Sequence, residues 1–122
     1  MWKHRAQLKA LAKAERVAFG PTGIGGRILP ETRAFDELVE AGREDPAGLR
    51  PKLEKLLRDA SPAGKVYAAE ALTSIVPPAG RRAWERLTGE PGEVMSINGC
   101  IPGRTTLAEY ASQRLATGNA SL

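Results

Sequence analysis

Reactive and metal-binding side chains are almost absent from this chain. Its 122 residues include one cysteine, Cys100, and one histidine, His4. A single cysteine excludes an intrachain disulfide, and with a single histidine it excludes a zinc site built from cysteine and histidine ligands. No sequence signature of a cysteine–histidine enzyme surrounds Cys100. We therefore expect a protein that is not an enzyme and that uses no cofactor or metal.

Aromatic residues and long apolar runs are also scarce. Aromatics make up 5% of the chain, so we expect a core built mainly of Leu, Ala, Val and Ile. No stretch approaches the roughly 18 consecutive apolar residues of a transmembrane helix. Lys9, Lys13 and Glu15 interrupt the region where a signal peptide would be apolar. These features predict a single domain in the reducing cytoplasm, without membrane association.

A Pro-Ala-Gly tripeptide recurs at a constant interval. It begins at Pro46, Pro62 and Pro78, so successive copies are 16 residues apart. A helix of about 12 residues and a turn of about four fill such an interval. Proline is well tolerated in the first helical turn, and Asp45 and Ser61 are suitable N-cap residues. Each tripeptide therefore predicts the start of a helix.

Three further segments have helical patterns, which gives an all-α fold of about six helices. They are residues 2–19, residues 31–41 with Gly42 ending the helix, and residues 106–116. We predict one domain, either a helical bundle or a short α-solenoid. Residues 1–30 form its basic N-terminal helix and glycine-rich connector, and residues 31–122 form its repeat-like core. The β-prone run at residues 94–97 is predicted to be an isolated extended segment or a loop under the last helix.

The segment from about residue 45 to residue 87 resembles HEAT-like α-helical repeats. The residues that carry the resemblance form the apolar faces of two successive helices: Leu53, Leu56 and Leu57, then Ala68, Ala71, Leu72 and Ile75. The resemblance implies a protein-binding scaffold with no chemistry of its own. A helical bundle without repeats is the alternative.

The first predicted helix carries a stripe of positive charge. Its members fall within about 80° of each other on a helical wheel: Arg5, Lys9, Lys13 and Arg16. Residues 1–27 contain six Lys or Arg and one Glu, so much of the positive charge is concentrated there. A stripe of this kind suits contact with phosphate groups of a nucleic acid or with an acidic partner.

The second predicted helix is acidic. Asp36, Glu37 and Glu40 provide a candidate surface for a partner protein. The spacing of these carboxylates matches no EF-hand loop, so no metal site is predicted.

Two other features resemble functional sites only superficially. The glycine-rich residues 20–26 lack the preceding strand and the Lys-Ser/Thr pair of a phosphate-binding loop, and we predict a flexible connector. Cys100 lies in a turn-rich segment and is predicted to be a half-buried structural cysteine.

The sequence as a whole favours a non-enzymatic protein–protein interaction module, such as an adaptor, a regulatory inhibitor or an immunity-type protein. The alternative is a nucleic-acid-binding accessory protein that uses the basic first helix.

Overall fold

The fold is a bundle of helices with a small sheet at one side. The computed structural model describes residues 5–15, 17–18, 30–98 and 101–118. Within these ranges the elements are α1 (Arg5–Ala12), β1 (Val17–Ala18), α2 (Pro30–Glu44), α3 (Pro46–Asp59), α4 (Pro62–Ile75), α5 (Pro77–Leu87), β2 (Glu93–Asn98), β3 (Ile101–Thr106) and α6 (Leu107–Gly118). The predicted all-α class with about six helices is confirmed.

The Pro-Ala-Gly tripeptides open three successive helices, as predicted. Helices α3 and α4 begin at the proline of the motif, and α5 begins one residue before it. The side chains of Asp45 and Ser61 each accept a hydrogen bond from the backbone N–H of the motif glycine, over 3.1 Å in both cases. The predicted N-caps of α3 and α4 are therefore confirmed, whereas Val76 before α5 offers no side-chain cap.

The glycines of the motif allow helices to approach each other closely. A Cβ atom at Gly64 would overlap the carbonyl oxygen of Leu11 in α1. One at Gly80 would overlap the backbone of Thr73, so that α5 could not pack as closely on α4. In these two copies tertiary packing explains the glycine.

Helix α4 is the centre of the bundle. It contacts the other five helices that the structure describes, and eight of its residues are buried. Leu53 and Leu56 of α3, Leu72 of α4 and Trp84 of α5 all lie in the core, as the apolar stripes predict. This arrangement leaves α3 and α5 on either side of α4, each with an outward face.

The predicted first helix at residues 2–19 is wrong in extent. Helix α1 ends at Ala12, and Val17–Ala18 is a strand. The start of α4 explains the end of α1. The backbone N–H of Ser61 donates a hydrogen bond to the Ala12 carbonyl over 3.0 Å. The Ser61 hydroxyl donates a second one to the Ala14 carbonyl over 2.5 Å. These two carbonyls are consequently engaged by another element.

The predicted end of the second helix is also wrong. Helix α2 continues to Glu44, and Gly42 lies inside it. A Cβ atom at Gly42 would overlap the side chain of Ile75 in α4, so this glycine serves helix packing and does not end the helix.

The β-prone run is part of a three-stranded sheet and not an isolated segment. β2 pairs antiparallel with β3, from Glu93 opposite Thr106 to Asn98 opposite Ile101. β2 also pairs in parallel with β1, with Val17 opposite Ser96. β3 lies at the edge of the sheet, where a proline such as Pro102 is tolerated.

Candidate interaction surface around helix α3

Helix α3 lies between two clefts. A helical wheel places the α3 residues that line one cleft opposite those that line the other. We name the clefts by their cationic side chains. The arginine cleft, between α3 and α5, is lined by Arg50, Glu54, Leu57, Arg58, Leu72, Ala79, Arg82, Ala83 and Arg86. The lysine cleft, between α1 and α3, is lined by Leu8, Lys9, Ala12, Lys52, Lys55, Leu56, Asp59 and Ala60.

The lysine cleft combines an apolar floor with a cationic rim. Its volume is about 350 Å³. Leu56 and Ala60 are buried in its floor, whereas Leu8 and Ala12 are only half-buried and remain available for contact. Three lysines and one aspartate line the cleft, which gives it a net charge of +2.

The arginine cleft is more strongly charged and smaller. Its volume is about 310 Å³, and four arginines with one glutamate give it a net charge of +3. Arg50, Glu54 and Arg58 follow each other at intervals of four residues along one face of α3, and Arg82 and Arg86 do the same on α5. Two walls of cationic side chains therefore face each other across a floor of buried Leu and Ala.

The positive charge of the arginine cleft is only partly neutralised. The Arg50 Nε lies 3.2 Å from the Glu54 carboxylate. The hydrogen bond and charge of Lys65 lower the pKa of Glu90, and the charge of Arg86 adds a smaller effect in the same direction. Among the described residues, Arg58 and Arg82 have no carboxylate within ion-pair distance, so this cleft keeps unpaired guanidinium groups.

The predicted basic stripe does not lie on a single helix. Arg5 is the first residue of α1, and Lys9 is exposed on the same helix and lines the lysine cleft. Lys13 is exposed but follows the end of α1, and Arg16 lies outside the described residues. Lys9 is therefore the member of the stripe that the described part of the structure places at a cleft.

The predicted acidic surface lies on α2. Asp36, Glu37 and Glu40 are all exposed. Two of these carboxylates have a side-chain partner. Gln7 donates a hydrogen bond to Glu37 over 3.4 Å, and the Arg43 guanidinium lies 3.9 Å from the Glu40 carboxylate. Partial burial raises the pKa of Asp36. Helix α2 thus presents a partly neutralised acidic face.

The sequence prediction missed the residues of both clefts on α3 and α5. Arg50 and Arg82 each stand four residues after the proline of a Pro-Ala-Gly motif, and Val66 holds the equivalent place in α4. Val66 is fully buried because α4 is central, whereas the two outer helices carry arginine there. The 32-residue offset between Arg50 and Arg82 is the signal that could have identified the arginine cleft.

The described part of the chain contains no group of three or more His, Cys, Asp or Glu that could hold a metal ion. None of its helices is both long and apolar enough to cross a membrane. The predicted glycine-rich connector at residues 20–26 and Cys100 lie outside the described residues.

Comparison with protein-family models, curated proteins and solved structures finds no match to this chain. The HEAT-like resemblance of residues 45–87 therefore stays a prediction, and the geometry of the clefts is the main basis for a function.

Proposed function

We propose that this protein is a non-enzymatic interaction module that binds an acidic, amphipathic segment of another protein in the lysine cleft. The observation that carries the proposal is the combination of a half-exposed aliphatic floor with a rim of three lysines. An amphipathic helix places apolar side chains in such a floor and acidic side chains against such a rim. A role as an adaptor, a regulatory inhibitor or an immunity-type protein is consistent with this mode of binding.

A protein segment suits the lysine cleft better than a nucleic acid does. A single-stranded nucleic acid gains affinity by stacking its bases on aromatic side chains. No aromatic side chain is among the described residues that line either cleft. A phosphate backbone would engage the lysines but would leave Leu8 and Ala12 without apolar partners. We place this interaction in the reducing cytoplasm, which suits a chain with a single cysteine.

Fluorescence anisotropy with two labelled probes tests the proposal. One probe is a designed helical peptide with leucines on one face and glutamates beside them, and the other is a DNA oligonucleotide, single-stranded or duplex. Each is titrated at about 50 and about 300 mM salt, where screening of exposed charges differs strongly. We expect saturable peptide binding that keeps part of its affinity at the higher salt, because the apolar contacts are not screened. DNA binding should be weaker and should fall steeply with salt.

Charge reversal locates the binding surface. Lys9→Glu/Lys55→Glu should weaken peptide binding by at least about tenfold, since it places two repulsive charges at the rim. The matched control Arg33→Glu/Arg104→Glu makes the same change in net charge at exposed positions outside both clefts and should have little effect. Tight DNA binding that is lost in the first variant would instead support the nucleic-acid alternative. Equal peptide affinity in both variants would refute the lysine cleft as the site.

A further inference from the structure

We propose that the arginine cleft binds a phosphate monoester. This site is separate from the lysine cleft, because α3 lies between them and the two share no lining residue. The proposal therefore adds a second ligand, of different chemistry, to the proposed protein segment.

The first argument is the excess of guanidinium groups in a concave site. Four arginines from two helices converge on about 310 Å³, and Glu54, the one carboxylate among the described lining residues, engages Arg50. Like charges on facing helix walls repel each other, and the low-dielectric walls of a cleft concentrate their field. An anion between α3 and α5 removes this repulsion.

The second argument concerns the shape of guanidinium groups. The planar guanidinium donates parallel hydrogen bonds to phosphate or carboxylate oxygens, which makes arginine the preferred residue for bidentate anion recognition. All four cations of the arginine cleft are arginines, whereas all three cations of the lysine cleft are lysines. The two clefts consequently differ in the anion geometry that they recognise.

The third argument distinguishes a monoester from a nucleic-acid backbone. A phosphate monoester carries a charge of about −1.5 to −2 at neutral pH and has three terminal oxygens, so it can engage several arginines at one point. A backbone diester carries one charge and is flanked by sugars on both sides. The cleft concentrates its charge in one small volume, and no aromatic residue is among the described residues that line it. These features favour a terminal phosphate, on a partner's side chain or on a small molecule.

NMR of the ¹⁵N-labelled full chain tests the proposal through the arginine Nε–Hε signals. The probes are inorganic phosphate, a capped phosphoserine tripeptide, glycerol 3-phosphate and dimethyl phosphate, all at constant ionic strength. We expect saturable shifts of Arg58 and Arg82 with the monoesters, and dimethyl phosphate should bind at least about tenfold more weakly. Tighter binding of the phosphoserine peptide identifies a partner's side chain as the source. Tighter binding of glycerol 3-phosphate identifies a free small molecule.

Paired variants separate this site from general attraction of anions. Arg58→Gln/Arg82→Gln should weaken monoester binding by at least about tenfold, since it removes two charged hydrogen-bond donors. Arg33→Gln/Arg104→Gln, with the same loss of charge outside both clefts, should change it by less than about threefold. Lys9→Glu, on α1, should also leave it nearly unchanged, so failure of the lysine cleft and failure of the arginine cleft are distinguishable. Equal binding of diester and monoester, or equal effects of the two arginine variants, would overturn the proposal.

Discussion

At the scale of single residues, Tyr110 shows how local packing changes proton affinity. Its ring stacks on Trp84 with ring centroids 5.8 Å apart. Burial raises the pKa of the Tyr110 phenol to about 12, and the negative charge of Glu70 acts in the same direction. The positive charge of Arg114 opposes this shift in pKa. The Arg114 guanidinium also pairs with the Glu70 carboxylate over 2.7 Å and lies over the Trp84 ring. The cluster holds α6 against α4 and α5.

The raised pKa of Tyr110 predicts a loss of stability at alkaline pH. In the unfolded chain the phenol ionises near its ordinary pKa of about 10. Between pH 10 and 12 the unfolded state therefore binds fewer protons than the folded state, and the free energy of unfolding falls as pH rises through this window. The difference in tyrosinate absorbance between the wild type and Tyr110→Phe should place the phenol transition near pH 12. A transition near pH 10 in the folded protein would contradict the burial of this phenol.

Residue-scale signals were sufficient to predict where helices begin. Asp45 and Ser61 form their caps as predicted because an N-cap needs only a side chain and a backbone N–H three residues later. The ends of helices were less predictable. Gly42 has the sequence context of a terminator, but the side chain of Ile75 occupies the space that a Cβ would need, so packing against α4 explains the glycine.

At the scale of elements, close approach between helices depends on the glycines of the repeated tripeptide. Gly64→Ala places a methyl group against the carbonyl oxygen of Leu11, so α1 must move away from α4. We expect a loss of about 1–3 kcal/mol in the free energy of unfolding, as for overpacked cores. Urea denaturation monitored by circular dichroism measures this loss.

The matched control for this prediction is Gly89→Ala. The nearest atom to a Cβ at Gly89 is the Arg86 carbonyl oxygen at 3.8 Å, which is an ordinary contact. We expect this exposed substitution to change stability by no more than about 0.5 kcal/mol. Equal effects of the two substitutions would contradict close packing as the reason for the glycine of the motif, because helix propensity alone favours alanine over glycine at position 64.

The elements that sequence patterns missed are those that depend on distant partners. β1 contains only Val17 and Ala18, and it pairs with Ser96 and Ile97 almost 80 residues away. β3 includes Pro102 and Gly103, which are unfavourable in strands. Its pairing with β2 compensates for this composition. Neither strand carries a local pattern strong enough to predict it.

At the scale of the whole molecule, the two clefts could not be predicted from any one helix. Each α3 residue in them has an ordinary position on an amphipathic helix. The clefts arise because α1 and α3 meet with Lys9 and Lys55 lining the same cleft, and because α3 and α5 both pack on α4 and flank its Leu72. The predicted basic stripe treated residues 2–19 as one helix, and the end of α1 at Ala12 removes that arrangement.

The most direct test of the proposed function is selection of binding peptides from an unbiased displayed library with the purified chain. The account predicts enrichment of peptides that combine Asp or Glu with apolar residues at helical spacing. These peptides should bind Arg33→Glu/Arg104→Glu like the wild type and should lose binding to Lys9→Glu/Lys55→Glu. Enrichment of basic or uncharged peptides, or equal retention by both variants, would contradict the assignment of the lysine cleft as the partner-binding surface.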